Sequence, residues 1–199
     1  MLHDLDATLG KLLEQELAGT IGGQVAISFL SPGADFPPST VTPPALDVFL
    51  YDVREDRAGR DGDWPIVRAD DGSPTGRRAP AVRVECSYLI TAWPSSSSSD
   101  PARDEHRLLG EVLRALVRHP VLPADLLQGE LKRQAAPLPT ASLQPGRLHS
   151  IAELWQASGG RPRAAINYTV TIVVDGAAPQ VVGPPVKEFV ATVEVWDAS

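Results

Sequence analysis

Three observations in the sequence predict an α+β fold. Two long amphipathic helical patterns, at about 2–18 and 100–119, stand far apart in the chain. Between and after them run segments of alternating apolar character, which is the mark of half-buried strands. Their order (helix, strands, helix, short helix, strands) lacks the regular βαβ alternation of a doubly wound sheet. The expected architecture is a mainly antiparallel or mixed sheet packed against amphipathic helices. A chain of 199 residues is long enough for one domain with a real core and short for two, so a single domain over residues 1–199 is expected.

The elements follow in order. Leu2, Leu5, Leu9, Leu12, Leu13 and Leu17 recur at helical spacing and Gly19 supplies a stop, which predicts the first helix. In "GQVAISFL", Val25, Ile27 and Phe29 alternate as in a half-buried strand. A proline-rich loop, "SPGADFPPSTVTPPAL", leads to "ALDVFLYDV". There Leu46, Val48 and Leu50 are expected on one face and Phe49, Tyr51 and Val53 on the other, so that both faces are covered and the strand is central.

Residues 54–80 are polar and rich in turn formers, and read as a long loop or hairpin carrying Trp64, Ile66 and Val67. The strand 81–93 places Val82, Val84, Cys86, Tyr88, Ile90 and Ala92 on one face. Its other face begins polar and turns apolar at Leu89 and Trp93, as in a strand entering the interior from the sheet margin. The five serines 95–99 read as a flexible spacer.

The second helix is the most regular run in the chain. Asp100 suits the N-cap, Pro101 the first turn, and Asp104 and Glu105 the positive end of the dipole. Leu108, Leu109, Val112, Leu113, Leu116 and Val117 form its apolar stripe. Burying six such side chains contributes roughly 10–15 kcal/mol before chain entropy is subtracted. That makes the helix a packing element. Pro120 ends it.

"VLPADLLQGEL" then predicts a helical turn and "TASLQP" a short strand. In "SIAELWQA", Ser150 and Glu153 form a capping box for a short helix, stopped by Gly159 and Gly160. "RAAINYTVTIVVD" alternates cleanly, with Ile166, Tyr168, Val170, Ile172 and Val174 on one face. "VKEFVATVEVW", with Phe189, Ala191, Val193 and Val195 aligned, reads as its antiparallel neighbour across "GAAPQVVGPP". The sequence shows no internal repeat.

Charge and composition narrow the function. A net charge of −7 argues against nucleic acid as the main partner, because phosphate binding needs a basic surface. No apolar run approaches the ~20 residues that span a bilayer. The start of the chain lacks the basic and apolar regions of a secretion signal, so a cytoplasmic chain is expected. A single cysteine, Cys86, precludes an intramolecular disulfide and a cysteine-based zinc cluster.

Catalytic signatures are missing. The histidines at 3, 106, 119 and 149 show no metal-ligand spacing, and the His149/Glu153 pair alone does not make a site. Cys86 lies on the apolar face of its strand, where free cysteine behaves as a small hydrophobe. The phosphate-loop, dinucleotide and nucleophile-elbow motifs do not occur. "DRAGRDGDW" fails the calcium-loop template, and "SGGRPR" reads as a helix stop followed by a solvated basic turn. No catalytic, cofactor-binding or metal-binding residue is therefore expected. Glu105 is less ordinary, since it falls within the apolar stripe. It reads as a carboxylate held by the helix N-terminus or, more sharply, as the partner of an arginine across a subunit boundary.

Taken together and in order, "LDVFLYDVRED", "VECSYLITAW", "DEHRLLGEVLRALVRHPVL" and "LHSIAELWQASGGRPRAAINYTVTI" resemble the N-terminal domain of the cap, or tail-terminator, proteins of contractile injection systems. These are phage-tail-like particles such as the antifeeding prophage. The resemblance runs from about Leu2 to Val174 and implies a phage tail-terminator-like fold and a structural role. A hexameric ring of this chain would close the baseplate-distal end of sheath and inner tube and end their growth. It implies no enzyme activity, no cofactor and no direct membrane insertion. It also implies a cytoplasmic product assembled into a particle, open to later release. Some relatives carry a further C-terminal domain, whose function is expected to be absent here. The C-terminal strand 186–195 is the edge expected to pair with a guest strand. Two other readings stand beside this one: an assembly adaptor or chaperone of such a particle, and, further off, a small hydrolase using Cys86 or a histidine.

Overall fold

A computed structural model of the chain describes residues 1–18, 24–33, 36–57, 66–68, 70, 74–77, 79–134, 137–143, 151–175 and 180–181. The chain divides into two compact units, Met1–Gly59 with Val82–Val174, and Arg60–Ala81 with Asp175–Ser199.

The first unit is a sheet with its two long helices on one face. Its elements are α1 (Leu2–Leu17), β1 (Ala26–Ser28), β2 (Ala45–Glu55), β5 (Val82–Trp93), α2 (Pro101–Arg118), a 3-10 turn (Gly129–Arg133), β6 (Thr140–Ser142), α3 (Ile151–Ser158) and β7 (Ala165–Val174). The strand order is β1-β2-β5-β7-β6. β1 joins β2 in parallel, and the remaining pairs are antiparallel. The predicted α+β class with a mixed sheet and amphipathic helices is the fold observed.

Alternation in the long strands builds the core. Leu46 and Val48 of β2, Cys86, Tyr88, Ile90 and Ala92 of β5, and Ile166, Tyr168, Val170 and Ile172 of β7 share one face. They pack in one cluster with Leu5, Leu9, Leu12 and Leu13 of α1 and with Leu108, Leu109, Val112 and Leu116 of α2. The α2 stripe differs at one end from expectation. Val117 is 59% exposed and Ala115 is buried. The buried face centres on positions 105, 108, 112 and 116 at helical spacing, which turns 117 outward.

A β-bulge alters β2. Leu50 pairs with Tyr88 but Asp52 pairs with Ser87, leaving Tyr51 without a β5 partner. One extra residue reverses the facing of everything after it. Val53, expected beside Phe49 and Tyr51, instead lies opposite Cys86.

Local signals set the helix ends. The Asp100 side chain accepts the Arg103 amide at 3.3 Å, and Gly159 takes a φ of +69° directly after α3. The serines 95–99 form a hydrogen-bonded turn, with Ser97 N donating to Ser95 Oγ. Ser98 Oγ donates to Asp104 and accepts the Asp100 amide, tying the turn to the first residues of α2. The 3-10 turn is held by α1: Gln128 N donates to Thr8 Oγ1 at 3.0 Å and Glu130 N to Asp4 Oδ2 at 3.3 Å.

The second unit contains β3 (Ile66–Arg68), β4 (Pro74–Arg77) and β8 (Gln180–Val181), in the order β3-β4-β8 and all antiparallel. β3 and β4 make a hairpin inside the 54–80 excursion. Trp64, Ser150, His149 and the strand expected at 186–195 lie outside the described residues.

Candidate functional site

The sheet face turned away from α1 and α2 is where the chain places its unusual side chains. Alternation puts Asp47, Ser87, Thr91, Trp93, Asn167 and Thr169 on it. Ser87 and Thr169 approach to 3.5 Å between hydroxyls. The bulged Tyr51 reaches across β5 to donate to Asn167 Oδ1 at 2.5 Å. Towards the margin, Arg54 donates to Asp52 at 2.5 Å and Arg83 to Asp56 at 3.1 Å. Ser87 is sealed, but Asn167, Thr169 and Thr171 are half-buried. The face is thus polar and partly wet, a surface of the kind found at interface rims.

At the end of β5 this face meets a groove of about 630 Å³ lined by Gly33, Phe36, Trp93, Glu105, Arg161 and Arg163. Trp93 and Phe36 pack with ring centres 4.7 Å apart. The Arg163 guanidinium lies 3.9 Å from the centre of the Trp93 ring, in cation–π geometry. Its Nη2 donates to Glu105 Oε2, and both side chains are well covered, 20% and 11% exposed. Glu105 does have an arginine partner, as the sharper sequence reading expected, but that arginine belongs to the same chain. The basic turn of "SGGRPR" is likewise not simply solvated, because Arg163 folds onto Trp93. The backbone bends to permit this at Gly160, where a Cβ would come within 2.9 Å of the Trp155 ring and 3.2 Å of the Pro32 carbonyl.

Two buried titratable side chains, Asp47 and Cys86, bear on what the site can do. Asp47 is fully buried, and neither of its oxygens makes a well-formed hydrogen bond. Burial pushes its pKa up to about 7, with the nearby Ser28 hydroxyl and Leu30 amide pulling weakly the other way. Cys86 is also fully buried, and burial, followed by the Asp6 and Asp52 charges, raises its thiol to about 11. A thiol so placed is not a nucleophile at neutral pH.

The described histidines do not assemble a site. His119 Nε2 lies 2.8 Å from Glu16 Oε1, joining the end of α2 to α1. His3 is exposed beside Asp4, and His106 is exposed on α2. Among the described residues no three potential ligands gather to hold a metal ion, and no helix is long and apolar enough to cross a membrane. Sequence reasoning missed Asp47 and Arg163. An acidic residue inside "ALDVFL" is the one signal that pointed to the first. Nothing local pointed to the second.

Residues 4–188 match the Pvc16 N-terminal domain family. Two solved structures share the fold. One is the sheath/tube terminator, in the extended state, of the extracellular contractile injection system PVC; it is 25% identical with a TM-score of 0.64 over 99% of this chain. The other is the tube-terminating cap of the anti-feeding prophage, 29% identical with a TM-score of 0.66 over 97% of this chain. The chain spans 64% and 62% of those two chains respectively. A search of curated proteins returned no match.

Proposed function

From its membership of the Pvc16 N-terminal domain family, to which this chain belongs, we propose that it is a structural cap. It closes the baseplate-distal end of tube and sheath in a contractile injection system and ends their growth. The observation that carries this is the likeness, over nearly all of this chain, to two proteins that terminate tubes. In support, the described residues present a half-buried polar sheet face, and the cysteine is sealed in the core. The role is non-enzymatic on this reading. The chain is a soluble component that joins an assembled particle.

The assembly proposed is a ring of six 21.2 kDa copies joined head to tail, since heterologous interfaces close when the rotation suits. Both compact units belong to one tail-terminator-like domain, a reading supported by the span of the family match across them.

The physical logic is competition. Each ring added to a tube or sheath exposes the same unsatisfied surface, and a protein that binds it without reproducing it stops addition. Deleting the gene is expected to give polymers that are unstable or widely variable in length, and excess purified protein is expected to shorten them. Mass analysis of purified particles should find the chain in fixed copy number, six per end. Unchanged length and stability after deletion, or loss of the chain from finished particles, would favour an assembly chaperone instead.

A further inference from the structure

Asp47 is paired with Ser28 of β1 on one side and with Thr91 of β5 on the other. Its side chain has no exposure, and its oxygens have no well-formed hydrogen bond. The groups that act on it are the Ser28 hydroxyl and the Leu30 amide; no charged side chain among the described residues contributes. An ionised carboxylate in that position would be without solvent, counter-charge or adequate donors, which is untenable in a packed interior. The carboxyl must hold its proton while β1 is docked, or reach water.

On the outer flank of β2 beside Asp47 lies β1. This strand is the terminal one of the sheet and contributes only three residues, Ala26–Ser28. Its ladder begins at the hydrogen bond from Ala26 N to Pro44 O, 3.0 Å long. Val25, Ile27 and Phe29 are only partly buried against the core. By contrast β5 is twelve residues long and paired on both sides. We infer that β1 is a proton-linked edge strand: its docking on β2 is strongest while Asp47 is protonated and weakens as Asp47 ionises. Release bares the flank of β2 at Ala45–Asp47, a strand edge open to new backbone pairing. The inference does not depend on the cap reading.

The linkage has a definite sign. The docked state raises the pKa of Asp47 to about 7, above its ordinary value near ~3.9 in the released state. Docking is therefore strongest below about pH 4 and weakens about tenfold per pH unit up to about pH 7, beyond which it levels off.

Hydrogen exchange on the full chain, corrected for intrinsic rates, tests this between pH 4.5 and 8.5. The protection of the Ala26 and Ser28 amides, which alternate onto β2, is expected to fall about tenfold per unit up to pH 7 and then flatten, while β7 amides keep their protection. Asp47→Asn is expected to abolish the slope. Should that variant fail to fold, the carbon-13 titration of the Asp47 carboxyl in the wild-type chain decides in its place, with a midpoint near 7 expected and one near 4 contrary. Protection independent of pH, a slope shared equally by β1 and β7, or a slope that persists in Asp47→Asn would overturn the inference.

Discussion

Gln134 completes the outer flank of β7 by pairing its side-chain amide with the backbone of Val173. Its Nε2 donates to the Val173 carbonyl at 2.7 Å and its Oε1 accepts the Val173 amide at 3.0 Å. β6 is only three residues long and covers Val170, Thr169 and Tyr168. Beyond it, Thr171 N donates to Pro139 O, and Gln134 takes the next position. One side chain thus does what a longer strand would do, and it blunts an edge that could otherwise accept a foreign strand. Gln134→Ala is expected to cost about 1–2 kcal/mol in urea unfolding, because both Val173 groups lose their partner in a part-buried setting. Gln134→Glu keeps the acceptor and loses the donor, and should be at least as harmful. A variant of wild-type stability would show that the pair contributes nothing.

Gly129 is required where it stands. Its φ is +52°, a region that other residues enter at a cost, and a Cβ there would overlap the carboxylate of Asp4. Gly129→Ala is expected to destabilise by more than about 2 kcal/mol, combining backbone strain with displacement of Asp4 from the Glu130 amide. Adding Asp4→Ala should recover part of this loss, making the pair non-additive. Strict additivity in thermal unfolding would rule out the clash.

The Glu105–Arg163 pair should register as coupling. Both members are well covered, so removing either leaves the other a poorly solvated charge. Each single alanine variant is expected to lose about 2–3 kcal/mol, and the double variant much less than their sum. Arg163→Ala should also shift the Trp93 fluorescence spectrum, since the guanidinium lies on that ring. Absent coupling in the double-mutant cycle would reduce the pair to a surface contact.

Cys86 should be chemically silent until the fold opens. With no exposure and a thiol raised to about 11, it is expected to resist alkylation at pH 8 in the native chain and to react fully in denaturant. Native-state labelling as fast as that of a free thiol would contradict the packing described.

The acid limb of stability is expected to run through Glu16. Arg118 and then His119 hold its carboxyl below the usual range by hydrogen bonding. A group depressed on folding stabilises above its unfolded pKa and loses that contribution as pH falls through the folded one. Glu16→Gln should therefore flatten the stability profile below about pH 4.5. An unchanged acid limb, followed by circular dichroism from pH 6 to pH 2, would place the sensitivity elsewhere.

The sequence by itself determined the α+β class, the stripes of α1 and α2, and the alternating faces of β5 and β7. Each depends on a period of 3.6 or 2 that a short window contains, and burying most of a row of regularly spaced leucines or valines leaves the chain little choice. It also carried the family resemblance, because that resemblance is distributed over many such windows. The tertiary structure alone decided the facing of Val53, the partner of Glu105 and the isolation of Asp47. A bulge arises when two strands must both satisfy their ladders, and the chain reveals it only once β2 is laid on β5. Glu105 and Arg163 are 58 positions apart, and no local period relates them. Asp47 looks like one polar residue in an apolar strand until β1 closes over it in parallel, when burial on every side removes the water that would keep a carboxylate ordinary.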